Sequence, residues 1–357
     1  MVSPSIVRIR GLAEHGYGLR LAALIVALTL AACGGSMPTK ALPSVVVTPV
    51  ATANPTSAAS ATSQPTSSAT PTPPVKSTGR ILFSAIAPTA SMASVYVMNA
   101  DGSGRVNLTG HKGGDEPAWS PDGTMIAFVR DDGIWVMNAD GSAVTEIRHD
   151  PTMVVEWPVW SPDGRQIADL ETPVCGLCSI GITWALNIMN SDGSKLRKLT
   201  DVASDGRPAW SRDGLTLVFG GRSDDPPTAA NGLQSVRLDR SDRHQLTTGP
   251  DSYAAWAPDG RLAFLRSGTE AADGTNLYSL FVSNADGSSP RQVPLSIVIE
   301  GPLAWSPDGD WIAMAAATSL STLRAGQSDI WITRPDGSGL VAITNTKDQG
   351  EGSPSWH

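Results

Sequence analysis

The sequence predicts an all-β fold: a six-bladed β-propeller of four-stranded antiparallel blades, preceded by a disordered linker. Three observations carry this expectation. A phrase ending in Trp recurs at Trp119, Trp160, Trp210, Trp256, Trp305 and Trp356, at spacings of 41, 50, 46, 49 and 51 residues. A second phrase falls between these: Asn99 to Ser103, Asn138 to Ser142, Asn190 to Ser194, Asn284 to Ser288 and Arg334 to Ser338, with Leu238-Asp239-Arg240-Ser241 as a degraded copy. Periods of 40–50 residues with two turns each are those of propeller blades. The third observation concerns the ends of the repeats. They open at Arg80-Ile81-Leu82-Phe83, which matches the second strand of a unit, and finish at Ser353-Pro354-Ser355-Trp356-His357, which matches a first strand. The last strand would complete the first blade and close the ring, removing sheet edges that template aggregation. A β-sandwich with periodic turns is the alternative, and the recurrence of whole phrases argues against it.

Composition narrows the class. Apolar residues make up 41 % of the 357, enough for a sizeable core, and 35 Gly with 27 Pro argue against a helical bundle. The formal net charge of −8 disfavours nucleic acid, whose binding relies on Lys and Arg neutralising phosphates. All eleven Trp lie after position 118, so the two ends of the chain are built differently. The boundaries are read as 1–32, a signal peptide; 33–79, a tether; and 80–357, the propeller.

Residues 1–20 are polar with a positive excess, and residues 21–32 form an uncharged apolar run of 12. Such a run suits the apolar region of a signal peptide and is too short for a bilayer core of about 30 Å. It ends in Leu30-Ala31-Ala32-Cys33, which resembles the lipobox of bacterial lipoproteins. The resemblance implies that Cys33 is lipidated and becomes the new N-terminus, holding the protein on a membrane through acyl chains. An ordinary signal peptide with a chance Cys is the alternative. From Gly34 to about Thr78, Ala, Ser, Thr, Pro and Val dominate, and no charge occurs between Ala41 and Val75. This stretch lacks the apolar surface to offset ordering entropy, so it is expected to be a disordered, Pro-stiffened spacer.

Within a unit, Ser-Pro-Asp-Gly sets a tight turn. Pro fixes φ, Asp caps, and Gly takes the positive φ that closes the hairpin. Short β-rich runs flank it, such as Ile126-Ala127-Phe128-Val129 and Ile134-Trp135-Val136-Met137. Asp-Gly-Ser then makes the next hairpin, leading to runs ending in Leu-Thr. Each unit thus supplies strands A, B, C and D. The A–B and C–D hairpins emerge on one face and are short; the B–C and D–A connections emerge on the other. The B–C loops are long at 84–94, 171–183, 220–232, 266–276 and 315–328, and short only at 130–133. Long irregular loops on a rigid scaffold commonly carry binding, so the B–C/D–A face is the expected working surface. Neutral drift in tolerant loops is the alternative.

The D–A connections place an acid three to five residues before each Trp: Glu116, Glu156, Asp205, Asp251, Glu300 and Glu351. Strand A is innermost in a propeller, so these acids are expected around the mouth of the central channel. A carboxylate ring there would favour Ca²⁺ or a cationic partner group; solvated or turn-capping carboxylates are the alternative. Trp157 and Tyr253 are the expected aromatic anchors beside them. No other cofactor is expected. Cys175 and Cys178 form Cys-Gly-Leu-Cys in a B–C loop, which in an exported protein points to a small local disulfide. Free thiols, a redox pair or a metal site are the alternatives, and four zinc ligands are not at hand.

The phrases Trp-Ser-Pro-Asp-Gly and Ile-Trp-Val-Met-Asn-Ala-Asp-Gly-Ser resemble the WD40-like PD40 repeats of the TolB family of six-bladed propellers, over residues 80–357. The resemblance implies the fold and, more loosely, an interaction role. TolB itself is a periplasmic partner of the Pal lipoprotein and carries an α/β domain ahead of its propeller, where this chain has an anchor and a tether. Outside the leader the His residues are His111, His149, His244 and His357, in different units, and no Gly-x-Ser-x-Gly elbow occurs. The expected function is therefore that of a lipid-anchored extracytoplasmic propeller, at the cell surface or in the periplasm. It would bind an envelope or extracellular protein, and it is not expected to be an enzyme. The alternative is a carbohydrate or peptide receptor, or an enzyme, with an acidic site at the channel mouth.

Overall fold

Each repeat folds on itself through bonds that its own turn residues supply. In the first complete turn, the Ser120 hydroxyl donates to Asp122 Oδ1 (2.6 Å) and accepts from the Met125 N–H (2.9 Å), while the Thr124 N–H donates to the same carboxylate oxygen. Gly123 sits at φ 68° and donates its N–H to the Ser120 carbonyl at 2.9 Å. The same set recurs around Asp163, Asp213 and Asp308. The Asp-Gly-Ser phrases close their hairpins in a parallel way, with the Ser103 N–H on Asp101 Oδ1 and Asn99 Nδ2 on Ser103 Oγ. The single short B–C connection turns through Asp131 and Asp132, both at positive φ, as a two-residue hairpin of the twist-compatible kind requires.

The computed structural model describes residues 78–87, 89–174, 184–202, 206–221, 232–268, 277–347 and 349–357. Cys33, Cys175, Cys178, Asp205, the leader and nearly all of the tether lie outside them. Strands are numbered in chain order. The first sheet runs β24 (Gly350–Trp356), β1 (Arg80–Ile86), β2 (Ser94–Asn99), β3 (Val106–Asn107). The second is β4 (Asp115–Trp119), β5 (Met125–Arg130), β6 (Gly133–Asn138), β7 (Thr145–Arg148). The third is β8 (Met153–Trp160), β9 (Gln166–Pro173), β10 (Trp184–Asn190), β11 (Arg197–Val202). The fourth is β12 (Ala209–Trp210), β13 (Thr216–Gly221), β14 (Gly232–Arg237), β15 (Arg243–Gln245). All neighbours in these four sheets are antiparallel.

The remaining strands form one eight-stranded sheet. It contains β16 (Asp251–Trp256), β17 (Leu262–Ser267), β18 (Tyr278–Ser283) and β19 (Arg291–Gln292), then β20 (Val298–Trp305), β21 (Ile312–Ala317), β22 (Asp329–Thr333) and β23 (Val341–Ala342). The two halves are joined by a single pairing, Tyr278 with Ile299. This differs from the separate blades that the repeats suggest: Tyr278, at the start of β18, lies beyond the two residues that pair with β19 and pairs with Ile299 of β20 instead. A short helix, α1 (Leu320–Arg324), interrupts the β21–β22 connection, with Ser319 as its cap.

The protein is thus an all-β propeller of four-stranded antiparallel blades. The inner strands β24, β4, β8, β12, β16 and β20 pack each on the next, and β20 returns to β24. β24 pairs with β1 from Trp356–Ile81 to Gly350–Ile86, so the last strand completes the first sheet, as the repeat ends suggest. Ile81, Leu82, Phe83, Phe128, Phe264 and Ile312 on the second strands are fully buried, because these strands are covered on both faces by neighbouring sheets. One position breaks the rule. Asp169 stands on β9 where Phe128 stands on β5, and it is equally buried.

Candidate functional site

The acids read from the sequence do not form a set of equivalent groups. The inner strands bulge just before their Trp, at Asp115/Ala118, Glu156/Val159, Ser252/Ala255 and Glu300/Leu303, and β24 has the same irregularity opposite Leu82/Ser84. An acid three, four or five residues before Trp therefore lands in the bulge, or one or two residues ahead of it, and points differently in each case. Glu116 is in the bulge, and its carboxylate accepts the Trp157 N–H at 2.6 Å. Glu156 and Glu300 precede their bulges and are half-buried. Asp251 is 3 % exposed and takes both Nε (2.6 Å) and Nη2 (2.9 Å) of Arg266. Glu351 is wholly buried and bonded to Arg105 at 2.6 Å, to Thr346 at 3.0 Å and to Thr344. Burial raises its pKa, against those bonds and the Arg105 charge. Asp251 and Glu351 are thus engaged in internal ion pairs. Among the described residues, no three His, Cys, Asp or Glu side chains come together to hold a metal ion.

The bulges have their own chemistry. Glu116, Trp157, Tyr253 and Ser353 each stand three residues before Trp at φ between 52 and 56°, and Gly301 takes φ 71° in β20. All but Tyr253 precede a Pro. A non-Gly residue there costs on the order of 1 kcal/mol or more and persists only where its surroundings enforce it. What the bulge achieves is to turn these side chains inward. The Trp157 ring, from the third sheet, meets the Tyr253 ring, from the eight-stranded sheet, edge-on at 6.2 Å. Tyr253 in turn meets Tyr278 at 5.9 Å. Trp157 and Tyr253 are 2 % and 8 % exposed. They were expected as surface anchors and are instead packed into the middle of the propeller, because the αL bulge turns them toward the axis.

Arg207 was not singled out in the sequence, although it stands three residues before Trp210, ahead of Pro208, like the bulge residues. Its Nη1 donates to the Pro354 carbonyl at 3.1 Å, joining the approach to β12 with β24. Its side chain is half-buried. Desolvation lowers its pKa to about 10, with the Glu116 carboxylate acting in the opposite sense. Residues from non-neighbouring inner strands therefore meet, Trp157 with Tyr253 and Arg207 with Pro354.

A second buried cluster lies between the second and third sheets. The Arg148 guanidinium pairs with Asp169 and with Glu171, and Asn187 Nδ2 approaches Asp169 Oδ1 at 3.3 Å. Burial raises the pKa of Asp169 against the Arg148 charge. The sequence signal was present, an acid within the apolar phrase Ile167-Ala168-Asp169-Leu170, and it was not read.

The face of the short hairpins holds clefts between neighbouring sheets. One, of about 480 Å³, lies between the second and third sheets and is lined by Pro121, Asp122, Met125, Trp160, Asp163 and Asp192 among others. Another, of about 230 Å³, lies between the two halves of the eight-stranded sheet, against Arg261, Gly309, Asp310, Arg334 and Asp336. Of the opposite, loop-rich face, residues 175–183, 222–231 and 269–276 are outside the described residues.

Comparison with known proteins agrees with this architecture. The model of the PD40 family, the TolB β-propeller domain, matches residues 39–259. That span starts and stops earlier than the repeat region at 80–357. A Bacillus subtilis protein described as the uncharacterized peptidase YuxL is 24 % identical over 230 residues. The alignment takes in 61 % of this chain but only 31 % of that protein, so the chain spans about a third of the relative's length. Among solved structures, TolB from Acinetobacter baumannii superposes with a TM-score of 0.62 at 16 % identity, over 78 % of this chain and 66 % of that one. A chain of the nidogen/laminin complex superposes with a TM-score of 0.59 at 10 % identity, over 78 % of this chain and 98 % of that one. At such identities the likeness is one of fold.

Proposed function

The chain belongs to the PD40, TolB β-propeller domain, family, and from that premise we propose that it is an extracytoplasmic module that binds another protein. In this reading the propeller has six blades. The eight-stranded sheet counts as two, bridged at Tyr278, and β24 closes the ring. Cys33 carries the lipid, residues 33–79 are the spacer, and the head faces an envelope or extracellular partner. No catalytic role is assigned: His149, His244 and His357 stand on or beside different sheets, and Glu351 and Asp251 are held in ion pairs.

The observation that carries the reading is that Trp157 and Tyr253, from non-neighbouring inner strands, are buried against each other rather than lining an open pocket, which leaves the loops as the scaffold's variable surface. Structural likeness to TolB and to a chain of the nidogen/laminin complex, the latter a protein assembly, is consistent with a protein partner.

The experiment is capture from solubilised native envelope on the immobilised full-length chain. A variant with the 171–183, 220–232 and 266–276 loops shortened runs beside it. A protein retained by the parent and lost by the variant supports the reading and the loop face. Retention by both keeps the module and moves the site, and no retention by either removes the reading. For the anchor, Cys33→Ala is expected to abolish incorporation of labelled fatty acid and to release the protein from the membrane fraction; unchanged labelling would refute the lipoprotein assignment.

A further inference from the structure

The repeats allow one cleft to be read from another. Leu262 pairs with Trp256, Ile81 with Trp356 and Ile126 with Trp119, so Arg261, Arg80 and Met125, each one residue earlier, are equivalent. Gln166, Thr216 and Trp311 hold the same place on the other second strands, and each of the two arginines lies over the Trp of the next inner strand. Arg261 is 4.9 Å from the Trp305 ring centroid, and Arg80 is 5.3 Å from that of Trp119. Arg261 is held there by three groups. Its Nε donates to Asp259 Oδ2 at 2.7 Å, its Nη2 donates to the Gly309 carbonyl at 2.9 Å, and the Trp305 ring receives its face.

Between the second and third sheets the same three acceptors are present without the cation. Asp122 matches Asp259, Gly164 matches Gly309, and Trp160 matches Trp305, and all three line the same cleft. The residue that would supply the guanidinium is Met125. The cleft there has about 480 Å³, against about 230 Å³ where Arg261 lies. The bonds made to Asp122 by Ser120 and Thr124 all fall on Oδ1; on Asp259 it is Oδ2 that holds the guanidinium. Asp163 and Asp192 add carboxylates at the rim. The cations near them, Arg165 at 4.0 Å from Asp163 and Lys195 near Asp192, belong to the cleft's own exposed turns.

We infer that this cleft receives an arginine side chain from a partner polypeptide, seated on Trp160 between Asp122 and the Gly164 carbonyl as Arg261 is seated on Trp305. A ring face, a carboxylate and a carbonyl at three sides suit the planar fork of a guanidinium better than the point charge of an ammonium. A net charge of −8 favours the approach of a cationic segment. The inference is independent of the loop-rich face, so a loop-shortened chain keeps this site.

The test titrates the full-length chain, labelled at its Trp indole nitrogens, with N-acetyl-arginine methylamide. The neutral isostere N-acetyl-citrulline methylamide and the lysine analogue run in parallel. Trp160→Phe identifies the Trp160 indole signal. The expected result is a saturable shift of that signal by the arginine compound, at least about tenfold tighter than by citrulline and tighter than by lysine. Asp122→Asn is expected to weaken binding about tenfold. Met125→Arg, which supplies the missing guanidinium from the chain itself, is expected to abolish the titration with an unchanged or raised melting temperature. An unmoved Trp160 signal, equal response to citrulline, or undiminished binding in a folded Met125→Arg protein would each overturn the inference.

Discussion

At the scale of single residues, the informative ones depart from the repeat. Asp169 stands where its counterparts are Phe83, Phe128, Phe219, Phe264 and Met314, and it is tolerated because Arg148 crosses from the neighbouring sheet to meet it. A buried pair of this kind is weak evidence for stability, but breaking it strands a charge. Arg148→Met is therefore expected to cost about 3–5 kcal/mol in urea unfolding, whereas Arg148→Met combined with Asp169→Phe recovers most of that loss. If the double variant were no more stable than Arg148→Met, the pair would not be the reason for the cost. The turn aspartates act in the opposite electrostatic sense. Hydroxyl and backbone N–H bonds hold the carboxylates of Asp101, Asp140, Asp163, Asp192, Asp213 and Asp336 below their ordinary range, and that of Asp122 at about 2. A carboxylate with a depressed folded pKa stabilises above the unfolded value and loses that contribution as pH falls through the folded one. Ser120→Ala is thus expected to destabilise at neutral pH, with a cost that shrinks as pH falls from about 4 to about 2. A pH-independent cost would count against it. Asp169 and Glu351, raised by burial, contribute in the reverse direction above that window.

At the scale of elements, the inner-strand bulge is the unit that decides what fills the middle. Ser353 isolates its backbone cost, since the side chain is small and φ is 52°. Gly takes that conformation freely, whereas a β-branched residue does not. Ser353→Gly is expected to be neutral or slightly stabilising, and Ser353→Val to lose about 1–3 kcal/mol by thermal or denaturant unfolding. Equal effects of the two would show that the bulge is not strained. The outer strands show a different device. Arg240 donates to the Lys198 carbonyl, and Arg243 to Thr200 Oγ1 (2.9 Å) and the Asp201 carbonyl (3.3 Å), so side chains of the fourth sheet cover part of the edge of β11. Covering an exposed edge with charged groups guards it against pairing with other chains.

For the whole molecule, closure by β24 is the feature with the largest consequence. Trp356 packs with Ile81, Phe83 and Trp311, and the Arg80 N–H bonds the His357 carbonyl. Removing residues 353–357 takes away that Trp and the start of the β1 pairing. Losing a buried Trp costs about 3–5 kcal/mol, and in a domain of this size that lowers the melting temperature by roughly 10 °C. The expected outcome is one cooperative transition at lower temperature. A truncated chain that melts like the parent would refute the closure.

Much was legible from the chain alone, and the reason is range. The Ser120–Asp122–Met125 and Asn99–Ser103 bonds join residues at most five apart, so each turn, its glycine and the strands it links are written locally. The repeat of Trp phrases and the mismatched ends then imply the strand order, including β24 beside β1. The acids before Trp were legible as residues but not as a site. A difference of two residues in their offset from a bulge sends a carboxylate to an Arg, as with Asp251 and Arg266, or to a backbone N–H, as with Glu116. Only the tertiary structure decided which side chains meet, because those bonds span the chain: Arg207 to Pro354 over 147 residues, Arg105 to Glu351 over 246. Such contacts exist only once the sheets are arranged side by side, and no local pattern encodes the inward turn that brings Trp157 against Tyr253 or the seating of Arg261 on Trp305.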